Sequence, residues 1–89
     1  MPTVSFTRAL ARFLEAPSAE VGGGTVGEAL VAVFVSRPAL RGYVLDDQGA
    51  LRRHVAVYVN GRLVSDRLRL SDPVGASDEI YVFQALSGG

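Results

Sequence analysis

Few residue types in this chain can carry chemistry. The 89 residues include no cysteine and no lysine; all nine basic residues are arginine, and His54 is the one histidine. Without cysteine there are no disulfides, no thiolate nucleophile and no Cys-based metal site. Without lysine, no side-chain amine of the chain can accept an isopeptide bond. His54 has no second histidine to complete a metal site and reads as an ordinary strand residue. Asp46-Asp47 is a carboxylate pair with no partner at a catalytic spacing, which makes it a solvated loop. Gly22-Gly23-Gly24 precedes a helix in the manner of a phosphate cradle, but lacks the Lys and Ser/Thr of that motif and reads as a flexible turn. Finally, an apolar strand runs into Ser87, Gly88 and Gly89. At this point that ending is either a frayed terminus or the working end of the molecule.

The elements that must position these residues follow from pattern. Val4 and Phe6 alternate with Thr3, Ser5 and Thr7, the period of a half-buried strand. Leu10, Phe13 and Leu14 form a short apolar cluster before the turn signals Pro17 and Ser18, and a second short strand is expected around Ala19 to Val21. Thr25-Val26-Gly27-Glu28 is a capping box: the Thr25 hydroxyl can accept from the Glu28 N–H, and the Glu28 carboxylate can reach back to the Thr25 N–H. Val26, Leu30, Val33 and Phe34 then share one helical face. Arg37 suits the last turn and Pro38 forbids continuation, so the helix spans 25–36.

Beyond it, a helical turn is expected at Leu40 to Leu45 and a turn at Asp47-Gln48-Gly49. Val55, Val57 and Val59 alternate with His54, Ala56 and Tyr58. Asn60-Gly61 supplies the two positive-φ positions of a type I′ turn, and Arg62-Leu63-Val64 returns. Leu68 and Leu70 are expected to anchor the following loop. The last strand, Glu79 to Leu86, places Ile80 and Val82 on one face and Tyr81 and Phe83 on the other. The result is α+β: one helix over one side of a small mixed sheet, with Val4, Phe6, Val55, Val57, Val59, Ile80 and Val82 facing Leu30, Val33 and Phe34.

Composition narrows the function. Hydrophobic residues make up 48% of the chain and charged residues 20%, the balance of a globular domain rather than a disordered one. The nine acidic and nine basic residues cancel, so no broad electrostatic footprint exists for nucleic acid or an anionic membrane. The N-terminus lacks the pattern of a signal peptide, and no run approaches the roughly 18 apolar residues of a span. A cytoplasmic location is therefore expected.

With these elements placed, "TVGEAL", "LRRHVAVYVNGRLV" and "SDEIYVFQALSGG" together resemble the MoaD/ThiS family of sulfur-carrier proteins, and the strand–strand–helix–strand–strand order resembles the ubiquitin-like β-grasp fold. The resemblance covers nearly the whole chain and is loosest over "RALARFLEAPSAEVGGG". The family's usual lysines are missing, and Ser87 is a mild departure before the glycines.

The resemblance implies a β-grasp domain over 1–86 with four to five strands, and a flexible Ser-Gly-Gly tail at 87–89. It implies a carrier that is not itself an enzyme and binds no cofactor or metal. A partner resembling the ubiquitin-activating enzymes would use ATP and magnesium to adenylate the Gly89 carboxylate, and sulfur would displace AMP to leave a thiocarboxylate. The charged carrier would donate its sulfur to the biosynthesis of molybdopterin, cysteine or another sulfur-containing metabolite, through an acceptor such as a molybdopterin synthase large subunit or a PLP-dependent cysteine synthase type. The alternative is a ubiquitin-like modifier joined through Gly89 to lysines on target proteins.

The tail suits what the resemblance implies. A carboxylate has a poor leaving group, and adenylation supplies a good one. A narrow tunnel admits backbone but not side chains, and Gly88 and Gly89 have no Cβ. Fixing each glycine costs about 1–2 kcal/mol of backbone freedom, which a docking surface must offset. The expected surface is Tyr58, Tyr81 and Phe83 on the outer sheet face, beside His54 and Ala56, with Leu86 beyond. Against that reading, a protein this small cannot cover both faces of its sheet, and exposed apolar atoms are ordinary.

Overall fold

The computed structural model describes residues 1–7 and 18–84. Five strands form one sheet: β1 (Thr3–Phe6), β2 (Ser18–Glu20), β3 (Val55–Val59), β4 (Arg62–Leu63) and β5 (Glu79–Gln84), in the order β2-β1-β5-β3-β4. β1 and β5 run parallel at the centre, and the other neighbours are antiparallel. Two helices follow β2: α1 (Val26–Ser36) and α2 (Pro38–Val44). This is the α+β arrangement expected from the sequence. Among the described residues no helix is long and apolar enough to cross a membrane.

The alternation of β1 and β5 sorts their side chains as expected. Val4, Phe6, Ile80 and Val82 are buried, whereas Thr3, Ser5, Tyr81 and Phe83 are not. Val55 and Val57 join the same core, and Val59 packs against its margin. From the helical layer Val26, Ala29, Leu30, Val33 and Phe34 close over them. No charged or polar residue is buried among the described residues, so the core draws its stability from apolar burial, at roughly 1.5–3 kcal/mol per fully buried Leu, Ile or Val side chain.

Helix α1 begins as its capping box dictates, with one change. The Glu28 N–H donates to Thr25 Oγ1 at 3.1 Å, but the Glu28 carboxylate accepts from the Gly24 N–H at 2.8 Å rather than from Thr25. The glycine triplet is also more specific than a loose turn. Gly23 has φ +146°, and a Cβ there would lie 2.8 Å from the Ala29 nitrogen, so the chain can enter the helix this tightly only without a side chain.

Pro38 ends α1 but also begins α2, as its first residue. Proline fits the first helical turn, where its missing N–H would have had no partner. Arg37 caps the junction through its own N–H, which donates to the Val33 carbonyl at 2.9 Å. Leu40 and Val44, one helical turn apart, are both fully buried. The short helix therefore completes the core beside Leu45 and Leu51, and it is longer than the Leu40–Leu45 turn expected.

In the loop before β5, Leu70 is 2% exposed and anchors the segment as expected, whereas Leu68 is 73% exposed and does not. The reason is the loop's own hydrogen bonding. The Asp66 carboxylate accepts from the N–H groups of Leu68, Arg69 and Ser71 and from the Ser71 hydroxyl at 2.6 Å. That turn holds Leu70 at φ +56°, which aims its side chain inward and leaves Leu68 at the tip.

Candidate functional site

The hairpin that carries part of the outer face forms as its turn requires. Asn60 and Gly61 have φ +51° and +84°, the pair of left-handed positions of a type I′ turn. Asn60 also ties the hairpin to β5. Its side-chain amide donates to Asp78 Oδ1 at 2.9 Å, its side-chain oxygen accepts from the Glu79 N–H at 2.9 Å, and its N–H donates to the Glu79 carbonyl at 2.8 Å. Asp78 is fixed in turn by the Gly75 N–H at 2.7 Å. Hydrogen bonds from Gly75 and then from Asn60 hold the Asp78 carboxyl below the usual carboxylate value.

This clamp sets the register of β3 on β5, and the register assembles the outer face. Ser5, Tyr81, Tyr58 and Leu63 stand opposite one another in a row across β1, β5, β3 and β4. Phe83 lies opposite Ala56 in the adjoining row. Tyr81 and Phe83 are 41% and 43% exposed, and Tyr58 is half-buried. Among the outward residues of these strands (Thr3, Ser5, Ala56, Tyr58, Leu63, Glu79, Tyr81, Phe83) Glu79 carries the one charge. A near-neutral, aromatic-centred surface of this kind has the composition of an interface core.

Three of the residues expected at the docking surface, Tyr58, Tyr81 and Phe83, are thus brought onto one face. His54 is not part of that strand face: it is exposed in the turn before β3, which begins at Val55. Leu63 is an addition that the sequence reading missed. Counting outward from the Asn60-Gly61 turn pairs it with Tyr58, so the hairpin itself carried the signal. Leu86, Ser87, Gly88 and Gly89 lie outside the described residues.

Arg52 and Arg67 have local partners. Arg52 donates through Nε to the Gly42 carbonyl at 2.6 Å, and Arg67 donates to the Arg52 carbonyl at 2.9 Å. Both staple the connection between α2 and β3. Asp46 likewise closes its turn by accepting from the N–H groups of Gln48 and Ala50. Among the described residues no three His, Cys, Asp or Glu side chains come together as a metal site would require.

Comparison with known proteins places this architecture. Residues 7–89 match the ThiS family. The chain is 38% identical over 68 residues to small archaeal modifier protein 1 of Haloferax volcanii, covering 76% of this chain and 74% of that protein. The crystal structure of the Haloferax volcanii protein superposes with a TM-score of 0.80 at 32% identity, covering 99% and 98% of the two chains. A chain of the Amycolatopsis orientalis BexX/CysO complex gives 0.87 at 27% identity over the whole of both chains. CysO of Mycobacterium tuberculosis shares the fold, with a TM-score of 0.84 at 22% identity over 97% and 100% of the two chains. The ubiquitin-like β-grasp fold, the family match along nearly the whole chain and the similarity to the archaeal modifier agree: the chain belongs to the ThiS family, small ubiquitin-like carrier proteins rather than catalytic enzymes.

Proposed function

We propose that this chain is a sulfur carrier whose reactive group is the terminal carboxylate of Gly89. One observation carries the reading furthest: the exposed aromatic residues Tyr81 and Phe83 lie on β5, the strand that leads into residues 85–89. A partner that grips this face has the tail directed into its own active site. In this scheme residues 1–86 are the docking body and 87–89 the arm.

The activating partner resembles the ubiquitin-activating enzymes and uses ATP and magnesium. The Gly89 carboxylate attacks the α-phosphate, pyrophosphate leaves, and the acyl-adenylate forms. A sulfur nucleophile then displaces AMP and leaves a thiocarboxylate. The acceptor is a cytoplasmic biosynthetic enzyme of the molybdopterin synthase large-subunit type or the PLP-dependent cysteine synthase type. Support for a chain that works in complex with a second protein comes from the BexX/CysO complex, one chain of which has this fold over its full length.

A second reading is favoured by the 38% identity to small archaeal modifier protein 1. In it the same adenylate is captured by a lysine amine of another protein. Intact-mass measurement after incubation with the cognate activating protein, ATP, magnesium and a sulfur source separates the two. Exchange of one oxygen for sulfur on the free chain supports the carrier, and target lysines in lysate that carry the chain's C-terminal tryptic remnant, residues 70–89, support the modifier.

A further inference from the structure

A second recognition surface lies in the helical layer, on the opposite side of the sheet from Tyr58, Tyr81 and Phe83. An open groove of about 500 Å³ runs between the start of α1, the end of α2 and the loop carrying Leu70. Its apolar lining includes Leu30, Val31, Leu45 and Leu70, and Arg41 and Arg69 stand at its edges. That volume falls within the roughly 300–1,000 Å³ range of sites that hold a ligand.

The groove has features that distinguish it from an incidental dent. Its wall is fixed: Leu70 sits at φ +56°, its carbonyl accepts from the Gly27 N–H at 2.9 Å, and the Asp66 carboxylate holds the preceding turn. Val31 on the wall is 57% exposed, and Val35, one turn along the same face of α1, is also exposed. The apolar strip therefore continues out of the groove. Among the described residues neither the Arg41 nor the Arg69 guanidinium has a hydrogen-bond or ion-pair partner, whereas Arg37, Arg52 and Arg67 each donate to a carbonyl. The one acidic residue of the lining, Glu28, is turned to the Gly24 N–H. The α1 N–H groups are spent too, on the Asp72 and Leu70 carbonyls and the Thr25 hydroxyl, so any anion here must be met by the arginines.

We propose that this groove binds an extended acidic-aliphatic segment of a partner protein, its aliphatic side chains against the exposed Val31 and Val35, with the largely buried Leu45 and Leu70 as the floor beneath, and its carboxylates on Arg41 and Arg69. An open groove with the Arg41 and Arg69 guanidinium groups in its lining, neither with a partner among the described residues, suits alternating aliphatic and acidic side chains, because a guanidinium pairs with carboxylates in fork geometry. Since the sheet face is on the other side, such a segment binds while Tyr81 and Phe83 are engaged elsewhere. The proposal is independent of the chemistry at Gly89.

The test is an amide chemical-shift titration of the full chain with an acetylated, amidated five-residue peptide of alternating leucine and glutamate. Expected are saturable shifts at Gly27, Val31, Leu45, Gly49 and Leu70, unchanged in Phe83→Asp. Arg41→Ala and Arg69→Ala should each weaken binding about twofold to fivefold, the scale of an exposed ion pair. Neither substitution touches a hydrogen bond that shapes the fold. Peptides with glutamine for glutamate, or serine for leucine, should bind more weakly. Equal binding by either control peptide, shifts centred on Tyr81 and Phe83, or no saturable shift at millimolar peptide would overturn the proposal.

Discussion

Tyr58 and Tyr81 stand opposite each other across the β3–β5 ladder, and Leu63 extends the row onto β4. Directly opposed side chains in an antiparallel pair have Cβ atoms about 4.5–5.5 Å apart, so the row forms one continuous apolar surface. Phe83 adjoins it opposite Ala56, whose small side chain leaves the ring accessible. The surface depends on a register that Asn60 and Asp78 pin from its edge.

The first prediction separates surface from core on a single strand. Phe83→Asp should weaken binding to the cognate activating protein by about 2 kcal/mol or more, as loss of a central aromatic anchor does, with the unfolding transition almost unmoved. Ile80→Ala, three residues earlier and fully buried, should cost about 2–5 kcal/mol of stability. Calorimetric titration and urea unfolding of both variants check this. Unfolding of Phe83→Asp would mean that the ring belongs to the core.

The second prediction concerns the register clamp. Asn60→Ala places an alanine at φ +51° and loses the side-chain bonds to Asp78 and Glu79. The backbone conformation alone costs about 1–2 kcal/mol. Asn60→Gly keeps the turn and loses only those bonds, so it should be less destabilised than Asn60→Ala. If the clamp sets the face, partner affinity should fall in both variants, at temperatures where both remain folded.

The third prediction is a pH dependence. Asp66 is held below the usual carboxylate value chiefly by the Ser71 hydroxyl and then by the Arg69 N–H. Asp72 is lowered by the N–H groups of Ser65 and Asp66, and Asp78 by those of Gly75 and the Asn60 side chain. A folded-state value below the unfolded one stabilises the fold fully at pH above the unfolded value, near about 3.9 for Asp. That contribution is lost as pH falls through the folded values. Thermal midpoints should thus fall in the acid range below about pH 4. Asp66→Asn should flatten part of that decline, and an unchanged slope would remove Asp66 from the account.

The fourth prediction follows from the absence of lysine in these 89 residues. If the modifier chemistry operates, lysines of target proteins will carry the tryptic remnant of residues 70–89, and no lysine of this chain can carry it. Side-chain-linked polymers of the chain through lysine are therefore impossible. Tryptic peptide mapping of high-mass conjugates checks this directly.

Much of this architecture is legible from local pattern. The alternations around Val4, Val57 and Ile80, the Thr25 cap and the Asn60-Gly61 turn are signals contained within a few residues, and each forms the expected element. The departures involve information that is not local. Pro38 signals both a stop and a start, and only the burial of Leu40 and Val44 reveals which follows. Leu68 and Leu70 have the same type and spacing parity, but the Asp66 turn chooses one for the core. Glu28 reaches Gly24 because the path of the glycine triplet brings that N–H closest. On the face itself the aromatic pair was readable from alternation, whereas Leu63 required the hairpin register and His54 fell just outside the strand.

The central claim, a reactive carboxylate at Gly89 presented by the β5 face, is tested most directly by intact-mass spectrometry of the chain incubated with its activating protein, ATP, magnesium and a sulfur source. The account predicts a mass gain equal to one oxygen replaced by sulfur, absent when Gly89 is deleted and reduced in Phe83→Asp. No mass change in the intact chain, or the same gain without Gly89, would contradict it.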